Sequence, residues 1–519
     1  MEASINPYWI VPVILLCYYL MDTVGIWKST QNYPIAGDLS ALAPRFVLNF
    51  HYSRRLSRLC RDSYQKFKDQ PIQFIRTDGN VVVLPYNVLA ELSTLPTTIA
   101  SPTEALVNEF GKSSVMNLML HNTLHHSVLQ RRLTPKLPVL TPILEKIVTS
   151  AYQECFPQAD DWVEVIPYSL FKRITAQVTA SVLVGPSISQ DPEWLDASFD
   201  LTELAVQTRM SLSIVPYRMQ SIVSLFLPSY WKSHRCAQRI REILSPKIQE
   251  LLEANDSGAW NLTDSTEEED TNTLSWLVGS TKGRERNPVS IANALVVLVI
   301  SSTHTTLSRV LDTMYDIMAA DKSQDGLLTD ELRTEIEAVA VDAKGWSDMP
   351  YDRLHKLDST LRESLRTSPT NHLGMKRLFK KPHTFRNGIR VPEGTYTAMM
   401  ISEIMNDPEH TPNPEVFDAL RSYREKQTLG LDNPTTKDFD FSAASRISLG
   451  FGYGRTACPG RFFASLVIKM VFVKLLTEYD LRFLPGEDNH QAIYRSELVS
   501  MSPTQKILVR RRAGNNCPY

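Results

Sequence analysis

The chain opens on a stretch with no alternation of polar and apolar positions. Between Glu2 and Asp22 no residue is charged, and Tyr8 to Met21 (YWIVPVILLCYYLM) is almost wholly apolar. Roughly 18 such residues suffice to cross a bilayer as a helix. Tyr8, Trp9, Tyr18, Tyr19 and Trp27 flank the segment where aromatic rings favour the two interfaces. Lys28, Arg45, Arg54, Arg55, Arg58 and Arg61 follow it, so the excess of basic residues keeps the bulk of the chain on the cytosolic side. A cleaved secretory signal is the competing reading, but it wants a basic start and a small-residue cleavage site, and neither is present. The expectation is a single membrane anchor over residues 1–27 and a body over 28–519. The sequons at Asn255 and Asn261 then never meet the glycosylation machinery.

Further along, the rhythm changes twice to alternation. The segment PIQFIRTDGNVVVLPY predicts a hairpin turning at Asp78-Gly79, and HTFRNGIRVPEGTYTAMM predicts another turning at Asn387-Gly388. Most of the sequence between them repeats its apolar positions at three and four residues, the spacing of a helix buried on one face. Asn255 to Thr273 (NDSGAWNLTDSTEEEDTNT) breaks that pattern and predicts an exposed acidic loop. There are no repeats and no Gly/Ser linker. The pattern gives a mainly α body with small β-sheets.

Composition changes this picture little. By length alone 519 residues suggest about three average domains. With 43% hydrophobic and 22% charged residues, the chain has ample material for a large core. The net charge of −2 gives no global attraction to nucleic acid. The 31 prolines predict many helix starts and stiff loops. Cys17, Cys60, Cys155, Cys236, Cys458 and Cys517 lie far apart, with no zinc-type spacing, which suits a reduced, cytosol-facing body.

One cysteine stands in an unusual frame: FGYGRTACPGRFFASL, Phe451 to Leu466. Proline favours the first helical position, so Pro459 predicts Cys458 at the cap of a helix, where free N–H groups and the dipole lower a thiol's pKa. Gly452, Gly454 and Gly460 let the backbone approach something large and flat. A thiolate in such a frame suits the axial ligand of haem iron; a buried structural cysteine is the plainer alternative. The whole string resembles the haem loop of the cytochrome P450 superfamily, in the version common among filamentous fungi. Phe451, Gly454, Cys458 and Gly460 match that loop, while Thr456 stands where the family has arginine or histidine.

Upstream motifs extend the resemblance over roughly 33–512. Glu363 and Arg366 share a helix face in LHKLDSTLRESLRTSP, and Arg421 in NPEVFDALRSY occupies the place of the family's third member of a core ion cluster. In VVLVISSTHTTLSRVLDTMYDI, Thr305 stands at the family's oxygen-side threonine and His304 at its acid. The resemblance gives both a part in proton relay; alternatively Thr305 only bonds back to its helix and His304 is a satisfied core residue. The WxxxR that would hold a haem propionate falls on His126 and Gln130, leaving Arg132 as a shifted candidate, and Arg377 matches a second propionate arginine. Each could equally be a solvated surface residue.

What the resemblance implies is one large catalytic domain of the P450 fold behind the membrane helix. It implies haem b ligated by the Cys458 thiolate, NADPH as the indirect electron source, and an NADPH-cytochrome P450 reductase as partner. The activity implied is a monooxygenase at the endoplasmic reticulum membrane that oxidises a hydrophobic small molecule, such as a terpenoid of secondary metabolism. A haem-thiolate isomerase or dehydratase acting without reductase, and a non-catalytic haem-binding protein, are the alternatives. Segments 110–117, 204–214, 296–303 and 370–374 are expected to line the substrate pocket.

Overall fold

A computed structural model describes residues 10–30, 32–37, 40, 42–111, 115–120, 124–262, 271–323, 326–343, 349–431, 433–487, 492–495 and 497–513. At its centre runs the 36-residue helix Pro288–Ser323. This helix is apolar on nearly every side, the mark of a helix enclosed by others. It is long and apolar enough to cross a membrane, yet 78% of its most apolar window is buried inside the protein. Helices Pro167–Val184, Pro192–Leu212, Pro228–Asp256, Leu327–Asp342, His355–Thr367 and Arg461–Glu478 all pack on it. Pro102, Pro167, Pro192 and Pro228 each open a helix, where a missing N–H costs nothing.

A five-stranded sheet lies to one side, in the order Ile72–Phe74, Val81–Val83, Tyr396–Met399, Gly374–Phe379, Ala100–Ser101. Its first two strands form the hairpin expected at Asp78-Gly79, with Ile72 opposite Val83 and Phe74 opposite Val81. The second expected hairpin splits. His383–Thr384 pairs with Arg390–Val391 around Gly388 at φ +88°. Tyr396–Met399 instead leaves that hairpin and joins the main sheet, parallel to Val81–Val83 and antiparallel to Gly374–Phe379. All four of its residues are buried, and a two-stranded ribbon could not bury both faces. The acidic stretch 255–273 starts on the last turn of Pro228–Asp256 and ends where Asn272 caps Thr273–Ser280; residues 263–270 lie outside the described residues.

The amino-terminal helix Ile10–Thr30 continues past the expected boundary at residue 27. The reason is Asp22: Arg45 Nε reaches its two carboxylate oxygens at 3.0 and 2.9 Å, so the charge need not end the helix at an interface. Ile26 packs against Leu48 and Ile75, and Ser29 Oγ donates to Gln73 Oε1 at 3.0 Å. Earlier turns carry Val13, Leu16, Tyr18, Leu20 and Met21 exposed.

Candidate functional site

The loop before Arg461–Glu478 is pressed between two neighbours. A Cβ on Gly450 would come within 2.6 Å of Leu365 on helix His355–Thr367. Gly454, at φ +69°, would bring a Cβ to 2.9 Å from Ser93 Cβ, so both backbone angle and space demand glycine there. Cys458 N donates to Phe451 O at 2.8 Å and closes the loop, while the Phe451 ring meets Phe441 edge-on at 5.2 Å. The helix starts at Arg461 with Gly460 as its cap, not at Pro459 as the sequence predicts. Pro459 and Gly460 form a turn instead, and that turn aims the N–H groups of Gly460 and Arg461 at the sulphur.

The thiol's acidity also departs from expectation. Burial pushes the Cys458 thiol up, and the Gly460 N–H, the Arg461 charge and the Arg461 N–H offset this only in part. The dipole effect is confined to the first helical turn, so it loses to desolvation until a cation meets the sulphur. Gly460 itself has no steric reason to be glycine: nothing lies within 4 Å of where its Cβ would be. That open side beside the sulphur is the space a flat cofactor needs.

Thr456 has an answer in the structure. Its Oγ1 accepts from Arg377 Nη2 at 2.7 Å, and Arg377 Nη1 donates to Lys376 O at 2.8 Å. Arg377 is buried, and burial lowers its pKa to about 10. No carboxylate pairs with it among the described residues. A buried cation without an acid is costly in a finished fold, and a haem propionate is the acid that fits. The residues present therefore suit haem: a thiol under two N–H groups, an open glycine, and a cation awaiting an anion.

On the central helix, Ser301 and Thr305 are exposed amid buried neighbours. Thr305 Oγ1 donates to Ser301 O at 3.0 Å, with Ser302 O at 3.2 Å, and Ser301, Ser302 and Thr306 also bond back to carbonyls four residues earlier. The helix is continuous through this cluster. His304 is half-buried, and burial lowers its pKa while the Glu203 carboxylate opposes the shift, so the ring is neutral at pH 7.

The structure brings Glu363, Arg366 and Arg421 together. Arg366 reaches Glu363 at 2.9 Å through Nε and 2.6 Å through Nη2, and Arg421 Nε lies 3.3 Å from each carboxylate oxygen. Asp418 N donates to Glu363 at 2.9 Å. The remaining guanidinium protons go to the carbonyls of Pro412, Asn413, Pro414 and Val416 and to Asn406. Asn406 is a member the sequence reading missed; the signal was Arg366's excess of donors over the two oxygens of one carboxylate.

His126 and Arg132 are less engaged. His126 is half-buried on the short helix Leu124–Val128, its pKa lowered by burial. Arg132 is exposed on the π-helical turn Leu129–Leu133, beside Arg131. Cys17, Cys60, Cys155 and Cys236 are free thiols, and Cys517 lies outside the described residues.

Comparison with known proteins finds one family and a set of relatives. The sequence model of the family described as Cytochrome P450 matches residues 44–509. The chain is 29% identical to cytochrome P450 monooxygenase olcJ of Penicillium canescens over 519 residues, covering 99% of this chain and 95% of that one. To an ent-kaurene oxidase of Gibberella intermedia it is 28% identical over 512 residues, 98% and 93% of the two chains. Among solved structures, a retinoic-acid-bound cyanobacterial CYP120A1 superposes with a TM-score of 0.60 at 18% identity, over 89% of this chain and 96% of that one.

Proposed function

The chain belongs to the cytochrome P450 family, and from that membership we propose that it oxidises a hydrophobic, polycyclic natural product of the terpenoid kind. Enzymes of this family are monooxygenases that carry haem b on a cysteine thiolate and draw on NADPH through a reductase. When bound, the haem supplies the redox centre at which one atom of dioxygen passes to a C–H bond and the other leaves as water.

In this reading Cys458 would hold the haem iron through its thiolate. The N–H groups of Gly460 and Arg461 hold its thiolate in place and temper its donation. Arg377, aligned by Thr456, would take a propionate; a charged hydrogen bond of this kind contributes about 1.5–3 kcal/mol. His126 and Arg132 would be further polar contacts for the group. Phe451, Gly454 and Gly460 shape the loop that carries Cys458. Thr305 Oγ1, exposed on the inner face of its helix, accepts a proton and passes one on by exchanging its bond to Ser301 O. His304, neutral at pH 7, can refill that relay. Residues 28–519 form the catalytic domain. Ile10–Thr30 carries it on the endoplasmic reticulum membrane, supported by the apolar side chains its outer turns expose. An NADPH-cytochrome P450 reductase is the electron donor.

The observation that carries this function is the buried Arg377, without an acidic partner among the described residues and hydrogen-bonded to Thr456 two residues before the cysteine. The substrate class rests on the ent-kaurene oxidase relative, at 28% identity. The test is to express the chain with a reductase, feed candidate terpenoids, and read products by mass spectrometry. Products one oxygen heavier, formed only with NADPH, support the reading. Rearranged or dehydrated products formed without reductase would replace it with an isomerase or dehydratase.

A further inference from the structure

Six charged side chains outside the haem site form a single buried string of alternating sign. Arg209 pairs with Glu109, and Glu109 with Lys376 at 2.8 Å. Lys376 pairs in turn with Glu497, Glu497 with Arg76 at 2.6 Å, and Arg76 Nε with Asp78 at 3.0 Å. Tyr52 Oη donates to Glu497 as well. Side-chain exposure runs from 1% at Glu497 to 14% at Lys376, so none of these is a surface pair that salt would dissolve.

The six side chains come from five different elements. Arg209 is on helix Pro192–Leu212, Glu109 on helix Pro102–Phe110, and Lys376 on strand Gly374–Phe379. Glu497 is in the turn between Ala492–Arg495 and Leu498–Met501, and Arg76 and Asp78 are in the turn before Val81–Val83. Helix Pro192–Leu212, strand Leu498–Met501 and the turn Val115–Leu120 that follows Glu109 all pack on the central helix. Strand Gly374–Phe379 sends Arg377 to Thr456 from one face and Lys376 to the string from the other. Three of these elements overlap, or directly adjoin, segments the sequence assigns to the substrate pocket.

The two ends of the string are held unequally. Its sheet end is anchored twice over, Glu497 accepting from Arg76, Lys376 and Tyr52 together. Burial alone would raise the Glu497 carboxyl, but Lys376, Arg76 and Arg209 outweigh it and hold it well below the usual range. At the other end, Glu109 is the sole ion-pair partner of Arg209 among the described residues. Beyond Leu212 the chain exposes Ile214, Met219, Ile222, Leu225 and Phe226, a segment with little core of its own. Parting Arg209 from Glu109 thus removes the ion pair that joins helix Pro192–Leu212 to the string and leaves the rest of the string paired.

We propose that this string is the latch of the substrate entrance, and that its Arg209–Glu109–Lys376 limb sets the size of molecule admitted to the haem. Small ligands pass the closed limb. Bulky ones enter only when the Arg209–Glu109 contact parts, and binding that waits on such a change is slow. Arg209 and Glu109 act here as positioning residues, through the walls they join. The proposal rests on the monooxygenase reading above.

The test is stopped-flow binding of two nitrogen ligands to the ferric haem of the full-length holoprotein: imidazole, and a bulky triaryl-substituted imidazole. Arg209→Gln removes the charge at the free end. It should speed entry of the bulky ligand roughly tenfold and change imidazole entry less than about twofold. Arg209→Lys, which keeps the charge, should restore most of the delay. Glu109→Asp keeps every charge and draws the carboxylate back by one methylene, so it gives the same reading in a variant with intact charge balance. Equal effects on both ligands, or none on either, in variants with wild-type haem spectra would overturn the latch. Loss of the thiolate spectrum in wild-type protein would instead count against the haem reading, so the two failures are distinct.

Discussion

Two buried charge clusters in this protein solve the same problem in opposite ways. In the first, Glu363, Arg366 and Arg421 lie within a short reach of each other, and backbone carbonyls of the segment 412–416 absorb the spare guanidinium protons. In the second, the string from Arg209 to Asp78 is held almost wholly by side chain against side chain across five elements. A cluster closed by backbone cannot open without unfolding the segment that closes it. One closed by side chains can part at a single link and leave both halves folded. The difference teaches where rigidity and movement are placed: rigidity under the cysteine loop, where Leu365 props Gly450, and separability where helices Pro192–Leu212 and Pro102–Phe110 join strand Gly374–Phe379.

Breaking the closed cluster should have the largest effect. Glu363→Ala strands two arginines, and removing one member of a buried pair costs about 3–5 kcal/mol. The expected result is protein that neither holds haem nor shows a cooperative thermal transition by circular dichroism. A stable, haem-loaded variant would erase the distinction between the clusters.

The interior of the string comes next. Glu497→Gln leaves Lys376 and Arg76 short of an acceptor, at about 1–3 kcal/mol, read as a lowered melting temperature with haem retained. The same carboxyl sets a pH dependence. Its folded pKa lies below the unfolded value of about 4.3, so it adds stability above that pH and loses it as pH falls further. Lys376, Arg76, Arg209 and Tyr52 face it. Acid titration of the melting temperature should therefore fall less steeply in Glu497→Gln than in wild type.

Arg377 sharpens the comparison from the haem side. Arg377→Ala removes the propionate cation and should hasten haem transfer to apomyoglobin roughly tenfold or more, since a charged hydrogen bond is worth about 1.5–3 kcal/mol. Its effect on the melting temperature of the apo form should be small or even favourable, because that form carries the cation unpaired.

The smallest effect on stability is expected from Thr305→Val, whose hydroxyl is bonded, among the described residues, to carbonyls of its own helix. The melting temperature should barely move. The ratio of peroxide released to product formed should rise when NADPH is consumed. Tight coupling in that variant would take Thr305 out of the relay.

What the sequence made legible follows the same division. Glu363 and Arg366 share a helix face, so their pairing is visible in a few letters of text. Cys458 and its glycines were legible for the same local reason, though Pro459 misled: a turn, rather than a first helical residue, aims the two N–H groups at sulphur. The string was not legible. Arg76 and Glu497 are separated by 421 positions, and each charge taken alone reads as a solvated residue. The bond between Thr456 and Arg377 spans 79 positions, too far apart in the chain for any local pattern to show it. Nor could the pattern show that Tyr396–Met399 would leave its hairpin, since strand partners are chosen by burial on both faces.

The fastening of Ile10–Thr30 has a mechanical consequence. Arg45 clamps Asp22, Ile26 is seated on Leu48, and Ser29 is tied to Gln73, so no swivel separates the helix from the body behind it. With its outer turns in a bilayer, as proposed, the helix acts as a rigid mast. The tilt of the whole enzyme is then set by one guanidinium–carboxylate clamp and one seated isoleucine. A lipid-dissolved substrate would always meet the same flank of the protein, at the same height above the membrane plane.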